Sequence, residues 1–388
     1  MMDIAKLCTK PPHQDIENHI QRNSIPYFIQ FPEQGMNEET GLIFTISAFG
    51  MGPRQEYETK LRSILANKYN CIAVGVDYFG CSIKLPDLGT LRFPDRFFDD
   101  FKELYQMDIG GNNVPPVAAA LPTLINLLNS MGKKSFERPL HLLANKQDIY
   151  QSFGILPALD YLQVMSELLE TYSINKKRIY ISSSSYGSYI GLVLGKLAPN
   201  TFRFIVDNSA FVEPYLPSVY GANDNIGTWA AIGGVEVFIM EDTLWSRDPE
   251  SEFFFDKHHH QIRSLLIKEH IYPSSTEYYC SHSPIDHLVS LEDKERFREL
   301  RPEMDIDLQV ITDAKVDGKI FKNTQHGMDA SIAGMFELAY NAHVDKNKPQ
   351  PAQTDFDLKS EFVFPCDNNK CYTIRFSQDN VELTLSES

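Results

Sequence analysis

The stretch Ile179-Tyr180-Ile181-Ser182-Ser183-Ser184-Ser185-Tyr186-Gly187-Ser188-Tyr189-Ile190-Gly191 decides how the rest of the chain is read. An apolar, β-branched run enters a cluster of small residues, and a glycine-bearing apolar segment follows. The pattern predicts a buried strand over residues 178–182 that turns sharply into a helix over residues 188–197. Ser185 sits at the turn. Ser183 and Gly187 flank it in the order small-x-Ser-x-Gly, which suits a turn that strains its central residue. A hydroxyl there faces the first turn of the new helix, where N–H groups and the helix dipole favour a developing negative charge. Four consecutive serines can also be a plain polar loop. The buried strand before them and the helix start after them favour the turn, so Ser185 is the candidate nucleophile.

Working outward, the same alternation of strand and helix recurs. Strands are expected at residues 25–31, 41–47 and 71–78, with a helix over 55–68 between the last two. The run 41–47 is almost continuously apolar, as a strand buried on both faces should be. A helix is expected over 156–172, a strand over 204–207 and another over 308–312, then a helix at about 330–341. This rhythm predicts an α/β fold with a mainly parallel sheet flanked by helices. Two segments, about 83–150 and 212–282, interrupt it with irregular, aromatic-rich sequence. They are expected to be insertions over the sheet edge, the second a lid. Residues 346–354 are rich in Pro, Lys and Gln and suggest a linker. The tail should form a small antiparallel sheet, so the expected division is 1–345 as one domain with insertions and 346–388 as a linker and β extension packing on it.

Bulk properties narrow the classes. The chain has 388 residues, 43% of them hydrophobic, enough for one large domain with insertions or two smaller ones. A net charge of −16 with no basic run argues against nucleic acid and against an anionic membrane surface. No stretch approaches the ~20 apolar residues of a membrane span, and the N-terminus lacks the apolar core of a signal peptide. Six cysteines without metal spacing point to reduced thiols in a cytoplasmic protein, although Cys366 and Cys371 could be neighbours across a hairpin. His258-His259-His260 is read as a surface or lid run, since adjacent histidines diverge. No metal and no cofactor is expected.

Chemistry at Ser185 needs a base and a group to orient it, because a serine hydroxyl is a weak nucleophile at neutral pH. His326, in Thr324-Gln325-His326-Gly327-Met328-Asp329, is the expected base. Asp317, in Val316-Asp317-Gly318-Lys319, is the expected acid, with Asp313 and Asp207 in reserve. The order nucleophile, acid, histidine is then met. The oxyanion donors are expected to be the N–H of Tyr186 and an N–H of Phe49 or Gly50 in Ala48-Phe49-Gly50-Met51-Gly52. Asp286-His287 could mimic a dyad, but a structural role is expected for it. Met328 and Asp329 are expected to serve helix packing and capping.

The chain resembles the α/β-hydrolase superfamily at Ser183-Ser184-Ser185-Tyr186-Gly187, at Val76-Asp77-Tyr78-Phe79-Gly80-Cys81-Ser82, and at Tyr279-Cys280-Ser281-His282-Ser283-Pro284-Ile285-Asp286-His287. The last resembles the Ser-Pro-x-x-His segment that precedes the acid strand in prolyl-oligopeptidase-like hydrolases. More narrowly, Asp317-Gly318-Lys319 with His326-Gly327-Met328 looks like an uncharacterised bacterial hydrolase-like family. Members of that family occur in Campylobacter and its relatives, often near surface-sugar and flagellar-glycosylation genes. Two departures stand out. Ser183 replaces the usual first glycine, and Asp317 and His326 are nine positions apart where the superfamily usually places a helix and a strand.

The resemblance implies a serine esterase or O-acyltransferase working through an acyl-enzyme on Ser185, with a small-molecule or glycan ester as substrate. An aminopeptidase-type serine peptidase is the alternative within hydrolases. A catalytically inactive hydrolase-fold protein that binds a glycan or protein partner is the alternative from another class. The aromatic insertion residues Phe93, Phe97, Phe98, Phe101, Tyr105, Tyr215, Tyr220, Trp229 and Trp245 suit stacking on sugars, and suit a peptide or lipid equally. Phe253-Phe254-Phe255 reads as lid core.

Overall fold

Uninterrupted apolar runs become the centre of a sheet because both of their faces can be covered. β3 (Gly41–Ile46) and β4 (Cys71–Val76) are buried at every position. The computed structural model describes residues 3–81, 91–109, 116–137, 140–144, 150–221, 227–241 and 243–387. Ser82 and the opening of the 83–150 insertion lie outside the described residues. The chain divides into two units, Met1–Ser82 with Ser152–Pro214 and Asp256–Ser388, and Ile83–Gln151 with Tyr215–Phe255.

In the first unit β3 and β4 join β1 (Ile4–Leu7), β2 (Pro26–Gln30), β5 (Ile179–Ser183), β6 (Phe204–Asn208), β7 (Glu277–His282) and β8 (Asp305–Val310). Among the described residues these eight strands form one sheet in the order β1-β2-β4-β3-β5-β6-β7-β8. The pairs β1–β2 and β2–β4 are antiparallel, and every pair from β4 to β8 is parallel. Helices that follow strands of this sheet include α1 (Glu56–Tyr69), α2 (Ile155–Thr171), α3 (Tyr186–Leu197) and α4 (Leu291–Glu299); α5 (Ile332–Lys346) follows β8. One face packs Ile43, Tyr180, Phe204, Val206 and Tyr279 of the sheet against Met335, Phe336 and Ala339 of α5. The expected α/β class, with a mostly parallel sheet flanked by helices, is what forms.

One strand departs from expectation. Residues 212–282 were expected to be an insertion, but β7 lies at their end and pairs with both β6 and β8. The run Glu-Tyr-Tyr-Cys-Ser-His looks too polar for a central strand, yet all six positions are buried. Partners supply what the sequence hides. Glu277 accepts from Tyr279 Oη at 2.6 Å and from Lys346 Nζ at 2.9 Å, and His282 Nε2 meets the Val289 carbonyl at 3.0 Å.

Among the described residues the second unit has its own four-stranded sheet, in the order Leu91–Arg92, Leu142–Ala144, Val235–Glu241, Gly227–Ile232. Phe97, Phe101, Leu121 and Leu128 pack against Val235 and Val237. The aromatic residues marked for ligand stacking mostly build this interior. Phe93, Phe97, Phe101 and Tyr105 are buried, and so are Tyr220 and Trp245. Trp245 meets Tyr150 and Phe255 edge-on, at 5.5 and 5.0 Å between centroids. Phe98 and Tyr215 are half-buried, and Trp229 is exposed at 47%.

The tail forms the expected antiparallel sheet, β9 (Glu361–Pro365), β10 (Lys370–Phe376) and β11 (Val381–Glu387). Buried polar contacts attach it to the first unit. Tyr372 Oη donates to Glu17 at 2.8 Å, and Glu17 pairs with Arg263, both side chains almost fully buried. Burial alone would raise the Glu17 carboxyl, but the charge and hydrogen bonds of Arg263 outweigh it and hold it at about 2. The Leu383 N–H donates to His13 Nε2 at 2.7 Å, and His270 Nε2 meets the Pro365 carbonyl at 2.8 Å.

Burial pushes both His259 and His270 down to about 4. The unfolded chain takes up these protons near the ordinary 6.5, and the folded chain does so only near 4, so stability rises with pH between the two. The thermal unfolding midpoint should therefore drop steadily as pH falls from about 6.5 to 4. It should fall further as Glu17 is neutralised toward 2. A midpoint flat across the upper window would contradict the burial of these imidazoles.

Candidate active site

Ser185 stands between β5 and α3 with φ +53° and ψ −121°, a conformation that L residues rarely adopt. Four backbone hydrogen bonds hold the turn. Ser185 N–H donates to the Asn208 carbonyl at 2.7 Å, Ser184 N–H to Ile46 at 3.2 Å, Gly187 N–H to Ser184 at 2.9 Å, and Tyr189 N–H to Ser185 at 3.1 Å. The close approach of β3 explains Gly187: a Cβ there would lie 2.3 Å from the Ile46 carbonyl oxygen and 2.4 Å from that of Ser47. Ser183 is accommodated in place of glycine because its hydroxyl turns inward and donates to the Val206 carbonyl at 2.6 Å.

His326 arrives from the segment after β8. Its Nε2 lies 2.7 Å from Ser185 Oγ, and its Nδ1 lies 2.7 Å from Asp286 Oδ2. An ionised carboxylate only accepts, so Nδ1 carries the proton and Nε2 presents its lone pair to the serine hydroxyl. Asp286 is fully buried at its side chain. Burial by itself would raise its carboxyl; the His326 hydrogen bond and the Leu288 and Val289 N–H groups outweigh that and hold it below the ordinary range. The three side chains form a hydroxyl–imidazole–carboxylate series that can draw the proton off Ser185 Oγ.

Asp317 is not part of this series. It lies in an exposed turn where Oδ1 accepts the N–H groups of Lys319, Ile320 and Phe321 at 2.9, 2.8 and 3.0 Å. The reserve acids are engaged too. Asp207 forms a fully buried ion pair with Lys294, and Asp313 accepts from Thr324 Oγ1 at 3.1 Å. Asp286, expected to be structural, is the carboxylate the fold brings to His326. A signal for it was present. The 40 positions from Asp286 to His326 hold α4 and β8, the helix and strand that the nine-position gap lacked.

The remaining expected residues cluster beside the turn. Phe49 and Gly50 occupy a tight turn closed by the Met51 N–H on the Ala48 carbonyl at 3.0 Å, with Gly50 at φ +75°. The Phe49 ring meets the Tyr186 ring edge-on at 5.5 Å. The buried Phe153 ring lies 4.9 Å from that of Tyr186, and the Phe211 ring lies 6.1 Å from that of His326. Met328 is buried in the core as expected, whereas α5 is capped by Ser331 rather than Asp329. His258–His260 lie in the helix Lys257–Arg263, and among the described residues no group of His, Cys, Asp or Glu is arranged to hold a metal ion.

A parallel sheet in this strand order, with a strained serine after β5, a carboxylate after β7 and a histidine after β8, defines the α/β-hydrolase fold class. Residues 119–385 match the family described as Protein of unknown function (DUF2920), and the chain belongs to that family. No curated protein matches it by sequence. Among solved structures it is similar to Est1E from Butyrivibrio proteoclasticus, at 10% identity and a TM-score of 0.42 over 89% of this chain and 98% of that one. It is also similar to Pyrococcus horikoshii acylaminoacyl peptidase, at 10% identity and a TM-score of 0.46 over 90% of this chain and 42% of that one. A Mycobacterium tuberculosis puromycin-hydrolyzing peptidase gives 11% identity and a TM-score of 0.48 over 88% and 38%. The chain thus spans less than half the length of the two peptidases.

The packing at Gly187 makes a direct prediction. Gly187→Ala should lower stability by about 1–3 kcal/mol, because the atoms it would meet are backbone. Denaturant unfolding of the two proteins measures this, and equal midpoints would contradict the approach of β3.

Proposed function

We propose that the protein is a serine hydrolase that forms an acyl-enzyme on Ser185. The observation that carries this reading is the pair of 2.7 Å contacts that link Ser185 Oγ through His326 to Asp286. Ser185 Oγ attacks a substrate carbonyl carbon while His326 Nε2 takes its proton. The tetrahedral oxyanion is held by the Tyr186 N–H at the start of α3 and by an N–H of the Phe49–Gly50 turn. His326 then protonates the leaving group as the C–O bond breaks. Asp286 keeps the imidazole in the required tautomer and stabilises its charged form. Water, activated by the same histidine, releases the acid and restores Ser185. A sugar hydroxyl in the place of water would make the reaction an O-acyl transfer, as the resemblance to glycan-associated bacterial proteins suggests. No step calls for a metal or cofactor.

An ester is the favoured substrate over a peptide. Phe211 packs against His326 and the exposed Phe49 packs against Tyr186 beside the serine, and these rings suit an apolar acyl or aryl group. The contact of Asp286 with His326, 40 positions apart, supports the catalytic reading over a non-catalytic binding protein.

A fluorophosphonate probe should label the wild type and fail to label Ser185→Ala. A folded wild type that takes no label would sink the proposal. With p-nitrophenyl esters, Asp286→Asn should lose roughly 10³–10⁴ in kcat, the scale of losing the orienting carboxylate. Asp317→Asn should stay within about twofold of wild type, since surface changes away from a site are nearly neutral. The reverse ranking would return the acid role to Asp317. Acetylated sugars and aminoacyl p-nitroanilides assayed beside the esters rank the substrate classes.

A further inference from the structure

Two consecutive residues outside the hydroxyl–imidazole–carboxylate series touch both halves of it. β6 ends at Asn208. Its carbonyl accepts the Ser185 N–H at 2.7 Å, and its own N–H donates to Ser188 Oγ at 3.0 Å. Its side-chain Nδ2 donates to Ser184 Oγ at 3.2 Å and to the Gly327 carbonyl at 3.0 Å. Both protons of the amide are therefore used. One is on the residue before the nucleophile, the other on the residue after the histidine. Ser209 completes the hold. Its Oγ accepts the Gly327 N–H at 3.1 Å, and its own N–H donates to the Ser281 carbonyl of β7 at 3.0 Å. Gly327 is thus fixed at its N–H and at its carbonyl by neighbouring side chains.

We infer that Asn208, seconded by Ser209, is the positioning residue that keeps His326 in register with Ser185; this rests on the hydrolase reading above. Three observations support it. Asn208 and Ser209 are buried, at 1% and 0% exposure, so neither is placed to meet substrate. Asn208 Oδ1 is buried with no hydrogen-bond partner among the described residues. Leaving such a group unpaired costs about 1–3 kcal/mol, so a residue chosen for packing alone would be apolar. The amide earns its place through its two N–H donors. Third, Ser209 adopts φ +58° and Gly327, Met328 and Asp329 adopt φ of +74°, +53° and +45°. The segment closes into turns through the Met328 N–H on the Gln325 carbonyl at 2.8 Å and the Ala330 N–H on the Gly327 carbonyl at 3.1 Å, and the Asn208 and Ser209 side chains fix those turns to the end of β6.

The role separates from a merely structural one by what it changes. A displaced imidazole slows proton transfer at an unchanged binding surface, so kcat should fall while KM holds. The experiment compares wild type, Asn208→Ala, Asn208→Asp and Ser209→Ala in two measurements. The first is kcat and KM with p-nitrophenyl acetate. The second is the far-downfield proton resonance of His326 Nδ1–H in its short bond to Asp286, assigned by its loss in Asp286→Asn. Asn208→Ala should lose on the order of 10²-fold in kcat with KM within about twofold, and the resonance should broaden or vanish. Asn208→Asp keeps the size, removes both donors and sets a carboxylate against the Gly327 carbonyl, so it should rescue nothing. Ser209→Ala should lose about tenfold.

A folded Asn208→Ala with wild-type kcat and an unmoved resonance overturns the inference. If Asn208→Ala does not fold, Ser209→Ala decides by the same two readings. A wild type that shows the resonance yet turns over no ester defeats the hydrolase reading alone. The resonance in the folded variants then settles the positioning role by itself, its loss supporting the role and its persistence overturning it.

Discussion

The left-handed backbone of Ser185 is the constraint from which the site follows. A non-glycine residue in that region costs about 1–3 kcal/mol and persists only when its surroundings over-determine it. Here they do. The turn is bonded to β3 through Ser184 and to β6 through Ser185 itself, and Gly187 leaves no Cβ between α3 and the end of β3. The strain is what lifts the hydroxyl off the strand axis to a place where a second segment can meet it.

What meets it comes from neighbouring strands of the same parallel sheet. β3, β5, β6, β7 and β8 all run in one direction, so their C-terminal ends deliver the Phe49–Gly50 turn, Ser185, Asn208 and Asp286 to one edge, with His326 following β8. Sites at the carboxyl ends of parallel strands are the general outcome of such sheets. The electrostatics agree with the geometry. Asp286 is held ionised by one imidazole and two peptide N–H groups, so its charge is available to the histidine without contact with bulk water.

Ser185 and His326 were legible in the sequence because their surroundings are local. A strand, a run of small residues and a helix write the turn in about a dozen consecutive letters. Asp286, the carboxylate that meets His326, has no such signature. Asp317-Gly318 and Asp286-His287 both read as turns, and the difference between them is which strand each follows. That depended on seeing Glu277–His282 as a central strand, and its polar residues conceal it. Glu277 is buried against Lys346 and Tyr279, partners that only the tertiary fold supplies. The aromatic residues were misread for a related reason. Phe97, Phe101 and Trp245 looked like an exposed binding surface because they sit in irregular sequence, but they are the interior of a unit with its own sheet. Six of the eight described strands of the main sheet, β2 to β6 and β8, were legible from the alternation of apolar runs and helical stretches. The antiparallel edge strand β1, with exposed Ile4 and Leu7, carries too weak a pattern to be seen.

The second unit is sewn from two excursions of the chain. Leu142–Ala144, from the first, pairs in parallel with Val235–Glu241, from the second, through Leu142 with Ile239 and Leu143 with Met240. The segment Ser152–Pro214 of the other unit, 63 residues, is synthesised between the two excursions. On the ribosome the first excursion therefore waits with an apolar strand edge uncovered until its partner emerges. Unpaired edges of that kind slow folding and invite association with other chains. By the same logic, neither excursion is a self-sufficient module, and removing or transplanting one alone strips the other of half its sheet.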